Sequence, residues 1–364
     1  MKRLLVAAAL ALLAAPPSLQ AQPGNDTVAI ARARELVRAR MDSIPGLAVA
    51  VAVDGRIVWS EGFGWADIEQ RVPVRPTTRF RIGSISKALT SAAAGLLVEQ
   101  GRLDLDAPVQ RYVPSFPVKP WPITTRLVAG HLAGIRHYRG AEFTLYRHYG
   151  SVLESLNIFK DDSLLFQPGT RFSYSSYGWN LISAVIEAAS GENYLQFMRV
   201  HVIEPLHLEH TTADWVDSIV PERTRYYDRT SGRWLNAPAV DNSYKWAGGG
   251  FLSTAEDLVT YGSALLQPGF LKAETLRLLF TSQRTTAGAE TGYGIGWFIG
   301  RGPNGQPMYS HGGGSVGGTS FLVIYPASRL VLAIVTDMTD APMGRLPADL
   351  ANLFLGNQSA PLPN

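Results

Sequence analysis

The chain has no cysteine in 364 residues. Disulfides, thiolate metal sites, a cysteine nucleophile and a lipidated N-terminal cysteine are therefore excluded. A large excess of charge is also missing, with 33 Lys and Arg against 30 Asp and Glu. Loss of Lys2 and Arg3 would leave 31 against 30, so nothing points to a nucleic-acid partner. No run after the first residues approaches the ~20 apolar residues that a membrane-spanning helix needs. Internal repeats and long low-complexity tails are absent as well.

What is present is an ordinary globular composition, 46% hydrophobic with 35 glycines, long enough to bury a large core in one or two domains. The first 21 residues stand apart. Lys2 and Arg3 precede the apolar run Leu4 to Ala15, then Pro16, Pro17 and a polar stretch to Ala21. A charged start, an apolar middle and a small-residue exit form the layout of a secretory signal peptide. Twelve apolar residues are too few to span a bilayer comfortably, so cleavage near Ala21 and export without a membrane span are expected.

Residues 28–42 carry the spaced apolar positions of an amphipathic helix. GLAVAVAV and RIVWSEGFG flank Asp54-Gly55, a hairpin signal because both turn positions need positive φ. Helices are predicted from Ser84 to Gln100 with Gly101 as stop, from Trp179 to Ala189 with Gly191, from Ala255 to Leu266, and near Leu346 to Leu355. After about residue 290 strands return as GYGIGWFIG, QPMYSHGGG, TSFLVIYP and LVLAIVTDM. This is an α+β pattern. One sheet domain would use residues 28–83 and 281–357, with a mainly helical region, 84–280, inserted and 358–364 left as a tail.

Candidate chemistry begins at IGSISKALTSA, residues 82–92. Serines favour helix starts because they cap free N–H groups, so Ser84 reads either as a cap or as a nucleophile. Ser84 and Lys87, three apart, share one helix face, whereas Ser86 faces elsewhere. In a first turn the helix dipole disfavours a charged lysine, and the free N–H groups suit an oxyanion. Two further stretches matter. RFSYSSYGWN places Tyr174 before a helix start, and QPMYSHGGGSVGG places a glycine-rich strand in the C-terminal sheet. Such glycines let a substrate backbone approach closely.

In this order, the three stretches resemble the serine β-lactamase and penicillin-binding-protein superfamily, with its S-x-x-K and K-T-G motifs. The resemblance is nearest to the branch of class C β-lactamases, D,D-carboxypeptidases and esterases, and within it to the mitochondrial serine β-lactamase-like group. LDLDAPVQRYVPSFP, TTRLVAGHLAGIRHY and DNSYKWAGGGFLST extend it across about residues 30–340. It implies a β-lactamase/transpeptidase-like fold and an acyl-enzyme on Ser84. Lys87 would be the proton acceptor, Tyr174 the second acid/base group, and the N–H groups of Ser84 and Gly314 the oxyanion hole.

Departures from the family pattern are also visible. Ser176 stands where the family's Tyr-x-Asn has Asn, and His311-Gly312-Gly313 where it has Lys-Thr-Gly. Those family groups help hold a substrate carboxylate, so a peptidase or esterase is expected ahead of an efficient β-lactamase. Ser176, Asn242, His311, Gly313 and Gly314 are the implied substrate contacts, Asn242 through the stretch Asp241 to Gly250, which also reads as a plain structured turn. The expected partner is a small-molecule or peptide substrate such as a cell-wall peptide, with no cofactor and no metal. A non-catalytic binder of such peptides, or a filament former, is the alternative of a different class. The mitochondrial group's long charged insertion after the IRHY segment is only a short link here, so polymerisation of that kind is not implied.

Other patterns read as structure. Gly313 to Gly317 fits G-x-S-x-G, but a strand rather than a helix follows, against a nucleophile elbow. HVIEPLHLEH lacks any zinc spacing and is interrupted by Pro205. GYGIGWFIG lacks the dinucleotide spacing. His131 and His137 read as hydrogen-bonding residues in a loop between helices.

Overall fold

The computed structural model describes residues 23–356; the leader and the tail at 358–364 lie outside the described residues. Helix Pro23–Arg38 leads into strand Gly46–Val53, which turns at Asp54 and Gly55, both at positive φ, into strand Arg56–Asp67. A seven-stranded sheet follows from both chain ends. Its order is Val72–Pro73, Arg56–Asp67, Gly46–Val53, Leu330–Thr336, Gly318–Tyr325, Pro307–Ser315, Phe298–Arg301. Every pairing is antiparallel, and the first and last parts of the chain meet where Leu47 faces Thr336 and Val53 faces Leu330. The fold is the expected α+β arrangement, one antiparallel sheet built from both chain ends with both faces covered.

The apolar run GLAVAVAV is continuous because both faces of its strand are covered. Leu47, Val49 and Val51 join Leu330, Leu332 and Ile334 in a core under helices Pro23–Arg38 and Leu346–Gly356. Ala48, Ala50 and Ala52 face the other way, with Val331, Ala333 and Val335, into the larger core. Small residues there let helix Ala255–Ala264 lie close, its Gly262 against Val331. Each fully buried Val, Leu or Ile contributes about 1.5–3 kcal/mol, so this two-sided sheet anchors the molecule.

Helix Ile85–Glu99 is buried almost all round and runs through the centre of the larger core. Helix Ser176–Ser190 packs beside it and ends at Gly191, φ +68°. The stretch 84–280 also holds strands. Thr212–Ala213 and Phe251–Ser253 pair in a small sheet with Phe80–Arg81, and Tyr227–Thr230 pairs with Arg233–Asn236. One strand expectation needs correction: of GYGIGWFIG only Phe298 onward is extended. Gly292 and Gly296 adopt φ +69° and +79°, which breaks the ladder, and Gly296 packs on the backbone of Lys87. No helix among the described residues is long and apolar enough to cross a membrane.

Candidate active site

Ser84 immediately precedes helix Ile85–Glu99, yet its side chain makes no capping hydrogen bond. Its Oγ lies 2.9 Å from Lys87 Nζ instead. The cap reading is thereby set aside. Lys87 is fully buried, and its other neighbours are Ser176 Oγ at 3.1 Å and the Gly248 carbonyl at 2.5 Å. Burial pushes the amine well below the ordinary lysine range, and the charge of Lys245 pushes it further. A neutral amine has two N–H donors and one lone pair. In that form Gly248 and Ser176 would take the two donors, and the lone pair would face the Ser84 hydroxyl.

Tyr174 stands just before the second helix, with its phenol beside the hydroxyls of Ser84 and Ser176. Burial raises its pKa, so it is held as a neutral phenol. The turn carrying it is clamped from outside the motif. Ser175 caps the helix by accepting from Gly178 N and donates its hydroxyl to the Arg136 carbonyl. His131 Nδ1 accepts from Ser175 N, and His137 Nδ1 accepts from Ser176 N. The His131 ring also packs 4.2 Å from that of Tyr174. These histidines do bond in a loop, and the backbone they hold is that of the site.

The third wall is strand Pro307–Ser315. Its residues alternate, so Gly312 and Gly314 are exposed while Gly313 is buried. A Cβ on Gly314 would meet nothing within 4 Å. One on Gly313, an expected substrate contact, would fall 2.0 Å from the Ile82 carbonyl, so Gly313 is a packing glycine and is not among the residues lining the cavity. A cavity of about 220 Å³ results, lined by Ser84, Tyr174, Ser176, Lys245 and Gly314 among others. A larger cleft of about 670 Å³ near Arg223 and Tyr226 includes none of Ser84, Lys87 or Tyr174. The G-x-S-x-G pattern falls in the hairpin joining Pro307–Ser315 to Gly318–Tyr325, which is no nucleophile elbow.

The beta-lactamase family profile matches residues 33–355. The chain belongs to the beta-lactamase family. It is 34% identical to the mitochondrial serine beta-lactamase-like protein LACTB of Homo sapiens, over 82% of this chain and 72% of that protein. It superposes on the octameric penicillin-binding protein homologue from Pyrococcus abyssi with a TM-score of 0.79 and 25% identity, covering 90% of this chain and 77% of that one. The hydrolase EstCE1 shares the fold, with a TM-score of 0.78 at 24% identity over 90% of this chain and 99% of its own.

Within this beta-lactamase-family scaffold, two of the expected contacts move out of the cavity. His311 is 1% exposed; its Nδ1–H donates to the Gly312 carbonyl and its Nε2 accepts from the Tyr293 hydroxyl. Burial pushes it down to about 3, so it is a neutral, fully engaged ring that does not line the cavity. Asn242 is also buried, its amide donating to Asp214 at 2.8 Å, and it does not line the cavity. Ser176 and Gly314 do line the cavity. Lys245, Tyr138 and Phe143 line it too and were not foreseen. A lysine set between aromatic residues before a glycine triplet was the available signal for Lys245.

Proposed function

We propose that this chain is a serine hydrolase that cleaves an ester, amide or peptide through an acyl-enzyme on Ser84. The observation that carries the reading is the 2.9 Å contact between Ser84 Oγ and a fully buried Lys87 that has no carboxylate partner. A lysine kept neutral in this way is a general base suited to neutral pH.

The surroundings support a definite proton route. Lys87 takes the Ser84 proton as Oγ attacks the carbonyl carbon, and the N–H groups of Ser84 and Gly314 receive the oxyanion. Lys87 returns a proton to Ser176 Oγ, Ser176 passes its own to the Tyr174 oxygen, and Tyr174 gives its phenol proton to the leaving group. The Ser84 proton is thus replaced on the leaving group with no net change in the protein. Water then enters, gives its proton back along the same chain, and releases the acid. The hydroxyl of Ser176 can both accept and donate, which this relay requires.

A peptidase or esterase is favoured over an efficient β-lactamase because the glycine strand offers a neutral, occupied His311 in place of a cation. Labelling with a fluorescent penicillin or a fluorophosphonate, compared with Ser84→Ala, tests the nucleophile; equal labelling of the two would remove it. Turnover of nitrocefin, a p-nitrophenyl ester and short cell-wall-type peptides then orders the activities, and fast nitrocefin hydrolysis would reverse the order given. Export is proposed on the pattern of residues 1–21; the N-terminus of protein recovered from the periplasm or medium tests it.

A further inference from the structure

Lys245 ends the helical turn Asn242–Lys245 and is 2% exposed, yet it makes no hydrogen bond or ion pair among the described residues. Its nitrogen is not sealed in the protein, because the residue lines the same cavity as Ser84. Three rings surround the ammonium: Phe143 at 4.5 Å, Tyr244 at 5.2 Å and Tyr138 at 5.7 Å to their centroids. Cation–π attraction is small beside the cost of burying an unpaired ammonium.

The charges around it do not supply a partner. Asp214 is the carboxylate that acts on Lys245. It is already committed to Arg81 at 2.7 Å, Arg223 at 3.5 Å and the Asn242 amide. Arg81 adds positive potential, the neutral amine of Lys87 adds none, the Glu142 carboxylate near Tyr138 and Tyr244 is paired with Arg136, and His137, Tyr138 and Tyr244 bring no negative charge. The cavity beside Ser84 therefore presents a cation without a counter-charge.

We propose that Lys245 is the substrate-recognition cation of this site and that the preferred substrates carry a carboxylate close to the scissile carbonyl. The anion is gripped from the helical wall, between Phe143 and Tyr138, with the aromatic rings flanking its apolar stem. This deepens the hydrolase reading and rests on Ser84 as nucleophile.

The test uses paired aryl esters that differ only by a carboxylate, one pair with it on the acyl chain and one with it on the leaving group. Wild type, Lys245→Met, Lys245→Gln and Lys245→Arg are compared, each checked by fluorophosphonate labelling. Wild type is expected to favour the charged ester of at least one pair. The Met and Gln variants should lower that preference by about tenfold or more, chiefly through KM, with Lys245→Arg retaining most of it. Burial and the charge of Arg81 bring Lys245 down to about 7, so the wild-type preference should decline as pH rises above that value. That decline needs no variant and stands even where a substitution impairs folding. A labelled wild type without carboxylate preference, or equal losses on both esters of a pair, overturns the role of Lys245 and leaves Ser84 in place. A wild type that does not label removes both readings.

Discussion

Gly83 and Gly314 meet so closely that a Cβ on Gly83 would fall 2.6 Å from the Gly314 carbonyl oxygen. Gly83 also holds φ +48°, a conformation costly for residues with a side chain. This contact sets the glycine strand against the residue before Ser84, and so sets the gap between the two N–H groups of the proposed oxyanion hole. Gly83→Ala should destabilise the protein by about 2–3 kcal/mol and lower kcat by about a hundredfold. Gly314→Ala, whose Cβ meets open space, should leave the unfolding midpoint nearly unchanged while obstructing the cavity. Urea melts and ester kinetics on both variants check the contrast; equal stability losses would show that the two glycines pack alike.

The second prediction concerns pH. Burial and the charge of Lys245 hold Lys87 well below the ordinary lysine range. The base must be neutral to act, so kcat/KM should rise with pH along a limb displaced well to the acid side of that range. Below the limb Lys87 is protonated and activity is lost. Lys87→Arg, permanently charged, should lose about a thousandfold. A pH profile on an uncharged ester is the direct check, and a limb near the normal lysine value would contradict the proposed base.

Some of this was legible because its causes are local. The spacing of Ser84 and Lys87 is a property of one helical turn, and Asp54-Gly55 needs only its own backbone to specify a hairpin. Tyr174 took a resemblance to recognise, since nothing near it in sequence marks a phenol as part of a catalytic set. Lys245 was missed because Tyr138 and Phe143 are more than ninety positions away in the chain, and its lack of a counter-charge is visible only in three dimensions. Asn242 was misplaced for the same reason, its amide being taken by Asp214. At Gly292 and Gly296 an apolar pattern resembling a strand was overridden by left-handed backbone and close packing on the central helix.

Ser176 provides a third test. It sits 3.1 Å from Lys87 and beside the Tyr174 phenol, so Ser176→Ala cuts the proton route between them. Loss of one partner in a buried hydrogen-bonded network costs about 1–3 kcal/mol, or about tenfold to a hundredfold in kcat. Ser176→Thr keeps the hydroxyl and should restore most of the rate. Burst kinetics with a p-nitrophenyl ester separate acylation from deacylation. If Ser176→Ala slows neither step, the relay through residue 176 is wrong.

Arg136 governs the loop that carries His137, Tyr138 and Phe143. Its buried guanidinium pairs with Glu142 at 2.6 Å and with Asp162, and its carbonyl accepts from Ser175 at the start of the Tyr174 helix. Burial pushes Glu142 upward, but the Arg136 guanidinium, the Arg139 N–H and the Tyr177 hydroxyl outweigh it and hold the carboxyl below its usual range. A carboxylate with a lowered folded pKa contributes stability above its unfolded value of about 4.3 and loses it as pH falls through the folded value. Arg136→Ala should therefore cost about 2–3 kcal/mol at pH 7, through charge-assisted hydrogen bonds lost on a partly exposed partner. The gap between wild type and variant should begin to narrow in urea melts as pH falls below about 4.3, and close only as pH falls through the lowered folded value of Glu142. A gap independent of pH would mean that the Arg136 side chain stabilises the loop by packing and by its hydrogen bonds to the His137 and Ile158 carbonyls, with its pairing to Glu142 contributing nothing.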